Sequence, residues 1–265
     1  MQRAKTLIAA VVVVAACLVA ASRASAAVRT KEVEYTQGTT TLQGFLAWDD
    51  AAKGRRPGVL VVHEWWGLNQ HARNQAKRLA EAGYVAFALD MYGKGKVTTH
   101  PDQAQAFASE AAKDPATMAA RFDAAMQQLK QDPHVDPGRI SAIGYCFGGA
   151  VVLATARGGA SLDAVVSFHG AIPPSAPIKR GTVKARVLIL AGGADPMVPA
   201  DQVSRFENEL KAAGAGVRVV TYPNAKHSFT NPDADKSGVA GLEYNAEADR
   251  QSFSEMLNLF KEIWG

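Results

Sequence analysis

Cysteine is nearly missing from this sequence: only Cys17 and Cys146 occur in 265 residues. A disulfide framework is thereby excluded for the body of the chain, because Cys17 lies in a segment that reads as removable. Met1 to Lys5 carries Arg3 and Lys5, Thr6 to Ser22 is uncharged and mostly apolar, and Ala24-Ser25-Ala26 offers a small-residue cleavage site. This is the layout of a secretory signal peptide over residues 1–26. The uncharged run is short against the roughly 20 residues that span a bilayer, so a retained membrane anchor fits less well. A lipid anchor at Cys17 is a further alternative, because Val14-Ala15-Ala16-Cys17 is similar to a bacterial lipoprotein box. The expected destination is the periplasm or the exterior, where a lone thiol at Cys146 needs a reason.

An excess of charge is also lacking. The formal charge is +4, and residues 1–26 hold Arg3, Lys5 and Arg23 with no acid, so their removal leaves +1. No stripe of lysine and arginine with interleaved aromatics remains, which excludes the electrostatic footprint of a nucleic-acid binder. The partner expected is a small molecule, and the protein is expected to act as a monomer without a cofactor. No internal repeat, no low-complexity tract beyond the leader and no composition break appears, so residues 27–265 read as one domain.

What is present is a pattern of alternating strands and helices. Lys31 to Tyr35 and Thr41 to Ala47 read as opening antiparallel strands. Gly58-Val59-Leu60-Val61-Val62-His63 is a near-continuous apolar run rich in β-branched residues, as in a strand buried on both faces. A helix over Asn69 to Ala82 and a strand over Tyr84 to Leu89 follow. Helices are expected over Gln103 to Lys113, Pro115 to Gln131, Phe147 to Arg157, Ala200 to Ala213 and Ala246 to Ile263. Strands are expected over Arg139 to Tyr145, Asp163 to Phe168, Ala185 to Leu190 and Val217 to Tyr222, with a polar loop over Thr230 to Gly241. The fold class is α/β, a mainly parallel sheet with helices on both faces.

Gly144-Tyr145-Cys146-Phe147-Gly148-Gly149 lies where a predicted strand gives way to a predicted helix. It matches the G-x-S-x-G nucleophile elbow of the α/β-hydrolase fold with cysteine in place of serine. The turn strains the nucleophile's backbone, and Gly144 and Gly148 leave room for the chain to approach. It also sets Cys146 at a helix N-terminus, which favours a thiolate, and makes the Phe147 N–H an oxyanion donor. The bland alternative is an inert buried cysteine.

In this fold the order is nucleophile, acid, histidine. His169 directly follows a strand and leaves no room for an intervening acid, so His227, just after the last predicted strand, is the better base. Asp195, in Ala191-Gly192-Gly193-Ala194-Asp195-Pro196, can orient it, whereas Asp90 precedes the nucleophile. The alternatives are a surface histidine and a turn aspartate before proline. His63-Glu64-Trp65-Trp66-Gly67 ends an earlier strand, where Trp65 would give the second oxyanion N–H and Trp66 would line the pocket or simply pack. A His-Glu-x-x-His zinc reading fails because Gly67 stands in the second histidine's place, so no metal site is expected.

These segments, in this order over essentially the whole mature chain, resemble the dienelactone hydrolase family. The resemblance implies a triad of Cys146, His227 and Asp195. It also implies that Glu64 interacts with the thiol at rest and is displaced when substrate binds. Two arginines of that family hold a substrate carboxylate, and alignment through Leu89-Asp90-Met91-Tyr92-Gly93-Lys94 puts Lys94 at the first and Asn231 at the second. Trp66, Tyr92, Lys94 and Asn231 are therefore the expected substrate-binding residues, with an anionic lactone held less firmly. The reading is an exported cysteine hydrolase of lactones or small esters. Its rival is an exported non-catalytic binder in which Cys146 is a redox-sensitive thiol.

Overall fold

The computed structural model describes residues 27–174 and 177–265. The leader at residues 1–26, with Cys17, lies outside them. The strands are β1 (Val28–Gln37), β2 (Thr40–Asp49), β3 (Arg56–Val62), β4 (Val85–Leu89), β5 (Val135–Tyr145), β6 (Ala164–Phe168), β7 (Arg186–Gly192) and β8 (Val217–Tyr222). The α-helices are α1 (Gln70–Glu81), α2 (Pro101–Ala112), α3 (Pro115–Gln131), α4 (Phe147–Arg157), α5 (Ala200–Ala212) and α6 (Ala246–Trp264). They form one sheet in the order β1-β2-β4-β3-β5-β6-β7-β8. The pairs β1/β2 and β2/β4 are antiparallel and the remaining pairs are parallel.

Apolar residues on both sides of the inner strands make this sheet a middle layer. On β3, Leu60 and Val62 face α3, α4 and α5, while Val59 and Val61 face α1 and α6. On β7, Val187 and Ile189 take the first side, and Leu188 and Leu190 the second. The period-2 alternation therefore feeds two cores. Each predicted element is present, with some bounds displaced. β1 runs longer than its apolar core, because its pairing with β2 extends out to a two-residue turn led by Gly38 at φ 56°. β5 begins at Val135, before Pro137 and Gly138, and the register shifts between Pro57 and Gly58 to absorb them. The polar loop carries a short 3₁₀ turn, Ala234–Ser237.

The strand order positions the site. β3 lies between β4 and β5, so the chain leaves it to one side through α1 and returns on the other at β5. Crevices at such reversals open at the carboxyl ends of the strands, and Glu64 and Cys146 sit at those ends.

α4 can approach β3 closely only because Gly148 has no side chain. A Cβ there would lie 2.4 Å from the Val62 carbonyl oxygen and 2.6 Å from that of His63, both backbone atoms. Gly148→Ala should therefore cost roughly 3 kcal/mol or more in urea unfolding, as overpacking against backbone does. A midpoint equal to that of the wild type would contradict this account.

Candidate active site

Cys146 is the single residue between β5 and α4, and its backbone is left-handed, φ 52° and ψ −114°. A non-glycine residue there costs about 1–3 kcal/mol and persists only where its surroundings enforce it. They do so here from both sides. The Cys146 N–H donates to the Phe168 carbonyl at 3.1 Å, and its carbonyl accepts from the N–H groups of Gly149, Ala150 and Ala171. Gly144 is required because a Cβ would meet the Gly148 carbonyl oxygen at 2.0 Å. The thiol is partly exposed at the positive end of α4, where an anion is favoured.

The loops after β7 and β8 bring the acid and the base together. Gly192 and Gly193 let these loops touch, since a Cβ on either would strike the backbone of Ala225 or Pro223. Across this contact His227 Nδ1 donates to Asp195 Oδ2 at 2.7 Å, both side chains being buried. The other carboxylate oxygen accepts from the N–H groups of Met197 and Val198 at 2.8 and 3.1 Å, so Asp195 is itself fixed. With Nδ1 engaged, Nε2 of His227 serves the side-chain hydrogen bond to Cys146. Burial alone would lower the His227 pKa. The thiolate charge of Cys146, the Asp195 and Cys146 hydrogen bonds and the Asp195 charge outweigh it and raise the pKa to about 10. The arrangement can hold an imidazolium–thiolate pair and pass a proton between sulfur and a leaving group.

Glu64 is placed differently from the resemblance. Its carboxylate is buried, with Oε1 accepting from Ser228 Oγ at 2.6 Å and Oε2 from Asn231 Nδ2 at 2.7 Å. The thiol shares its side-chain hydrogen bond with His227. Each of the two Glu64 oxygens thus takes one neutral donor. Asn231 is correspondingly a holder of Glu64, with one of its two amide N–H donors engaged. Lys94 is half exposed, and its ammonium pairs with Glu34 on β1 at 2.5 Å. Tyr92 is brought close: its ring packs on Phe147 at 5.3 Å and on Phe107 at 5.6 Å, with its hydroxyl buried and without a partner among the described residues. Asp90 holds the turn that carries it, accepting from the N–H groups of Tyr92 and Gly93.

Trp65 follows β3 in a turn, packs on Trp66 at 4.8 Å, and its N–H, like that of Phe147, has no backbone acceptor among the described residues. Trp66, His71, Thr98, Ser228, Asn231 and Leu242 are among the walls of a cavity of about 420 Å³. His169, the lesser candidate for the base, is buried, with Nε2 on the Thr230 hydroxyl at 2.8 Å and its ring edge-on to His227 at 5.3 Å. Sequence reasoning missed Ser228, Thr230 and His169 as parts of this network. For Ser228 the available signal was its position directly after the base.

An eight-stranded, mainly parallel sheet with this elbow and an Asp–His pair on the loops of β7 and β8 is the α/β-hydrolase fold. The family model described as the dienelactone hydrolase family matches residues 42–264, and the chain belongs to that family. A putative carboxymethylenebutenolidase of Methylorubrum extorquens is 32% identical over 189 residues, 68% of this chain and 65% of that relative. Among solved structures, m3DLH is 39% identical, with a TM-score of 0.86, over 90% of this chain and all of its own. A dienelactone hydrolase-like promiscuous phosphotriesterase from metagenomic libraries is 38% identical, also with a TM-score of 0.86, over 90% of this chain and 99% of its own. Family and neighbours mark the protein as a hydrolase of the carboxylic ester and lactone class.

In Cys146→Ala the thiolate charge and the sulfur hydrogen bond that raise His227 are gone. The His227 pKa should fall well below its wild-type value of about 10, read from the imidazole nitrogen resonances by NMR titration. An unchanged titration would show that sulfur does not face the base. Because Glu64 is occupied by Ser228 and Asn231, alkylation of Cys146 by iodoacetamide should proceed within about twofold of the wild-type rate in Glu64→Gln. A marked acceleration in that variant would restore the thiol-facing arrangement.

Proposed function

We propose that this protein is an exported cysteine hydrolase that cleaves uncharged small esters or lactones through an acyl-enzyme. The observation that carries the reading is the continuous hydrogen-bonded line from Asp195 through His227 to a cysteine held in left-handed backbone at a helix N-terminus. Cys146 attacks the substrate carbonyl, and the N–H groups of Phe147 and Trp65 receive the oxyanion. His227, oriented by Asp195, gives its proton to the leaving alkoxide and then activates water to release the acyl group. Esters suit this chemistry better than amides, because thiolate leaves a tetrahedral intermediate more readily than an unprotonated amine. The export reading rests on the leader pattern of residues 1–26.

The preference for uncharged substrates follows from where the charges lie. Lys94 pairs with Glu34, and Lys236, the one lysine or arginine among the described residues lining the cavity of about 420 Å³, is paired with Asp233 at 2.6 Å. Asn231 carries no charge and its amide is engaged by Glu64, a carboxylate beside the same cavity. Among the described residues, the lysine that lines this cavity is already paired, and two carboxylates, Glu64 and Asp233, stand beside it, so an anionic substrate group is disfavoured there.

Purified protein should hydrolyse p-nitrophenyl acetate, with kcat/KM falling at least about a thousandfold in Cys146→Ala. The hemisuccinate ester, which carries a free carboxylate, should be turned over at least about tenfold less efficiently than the butyrate ester. Activity that survives in Cys146→Ala would sink the cysteine mechanism. Preference for the hemisuccinate would sink the substrate class.

A further inference from the structure

His63 stands between β3 and Glu64, is wholly buried, and has no part in the chemistry above. Its partners assign its two nitrogens. An amide N–H can only donate, so Nε2 accepts from Met91 N–H at 3.2 Å. A carbonyl can only accept, so Nδ1 carries the proton and donates to the Glu64 carbonyl oxygen at 2.5 Å. The ring is therefore the neutral tautomer protonated on Nδ1. Burial holds its pKa below the ordinary range, and a proton on Nε2 would face the Met91 N–H donor to donor.

The carbonyl it grips belongs to the peptide whose nitrogen is that of Trp65. In a trans peptide C=O and N–H point in opposite directions, and no described peptide is cis. Fixing the oxygen on one side thus aims the Trp65 N–H to the other. The Gly67 N–H also reaches that oxygen, at 3.3 Å, so the peptide plane is held twice. The same imidazole lies nearly parallel to the Phe147 ring, centroids 6.0 Å apart and planes 20° apart. Phe147 provides the other N–H of the pair, and Tyr92 closes the ring from its edge at 4.8 Å. One side chain therefore bonds the peptide that carries the Trp65 N–H and stacks on Phe147, the two residues at the nucleophile whose N–H groups lack backbone acceptors among the described residues.

We propose that His63 is a positioning residue for the oxyanion hole, fixing the Glu64–Trp65 peptide through Nδ1–H and Phe147 through its ring face. The two N–H groups then converge on one oxygen. This rests on the hydrolase reading of Cys146, and the test separates the two. Ester attack needs the oxyanion hole, whereas displacement on iodoacetamide needs only the thiolate.

His63→Phe keeps a ring and removes the donor. It should lower kcat for p-nitrophenyl acetate by about a hundredfold with KM within about twofold, as loss of an oxyanion donor does. Alkylation of Cys146 by iodoacetamide should stay within about twofold of wild type. In His63→Asn the amide nitrogen replaces Nδ1 as donor to the Glu64 carbonyl, so turnover should return to within about tenfold of wild type. Wild-type turnover in His63→Phe overturns the proposal, as does equal loss of turnover and alkylation in both variants. In the wild type itself, the Nδ1–H proton, assigned by its loss in His63→Asn, should shift when a trifluoromethyl ketone forms a tetrahedral adduct on Cys146. A proton unmoved by the adduct also overturns it, whether or not His63→Phe folds. Turnover that does not depend on Cys146 would instead remove the hydrolase reading on which the proposal stands.

Discussion

The left-handed backbone of Cys146 is the constraint on which the other parts depend. It turns the chain from β5 into α4 without a spacer, and so puts the sulfur at the helix terminus and outside the sheet edge. Such a conformation is unfavourable alone, and it is maintained by hydrogen bonds from β6 and its following turn and by α4 lying against β3. The glycines at 144 and 148 are consequences of that geometry. So is the small-residue character of the surrounding turns, where Gly149 and Gly170 approach within the space a Cβ would fill.

Around this point the protein has placed several buried polar groups, which is costly unless each is satisfied. Asp195 is held by two backbone N–H groups and His227, and Glu64 by Ser228 and Asn231. His63 is saturated by Met91 and the Glu64 carbonyl. These networks draw on the loops after β3, β4, β7 and β8, so the site is a cross-brace among loops that share no local sequence. Rigidity of this kind suits a reaction that gains its rate from groups already in place before charge develops.

Much of this was legible in the sequence. Apolar runs and glycine punctuation located the strands and helices, and the elbow with its chain order singled out Cys146, Asp195 and His227, which the structure brings together. Pairwise geometry across loops was not legible. Lys94 aligned with a substrate contact, yet its long side chain finds Glu34 on the neighbouring hairpin, an acid that linear spacing could not associate with it. Asn231 lines the cavity and also holds Glu64, a second task that spacing does not reveal, because an amide beside a buried carboxylate is drawn to satisfy it. His63 read as the last residue of a strand, because its role is set by a carbonyl and an amide, groups every residue carries.

The claim that everything else supports is that carbonyl carbon becomes bonded to the sulfur of Cys146. Acid quenching of the wild type during turnover of p-nitrophenyl acetate, followed by intact mass measurement and peptide mapping, tests it directly. The account predicts a single acetyl group on the peptide that contains Cys146, appearing within the first turnover and disappearing as substrate is exhausted. Sustained turnover with no acetyl group on that peptide, or with the label on another residue, would contradict it.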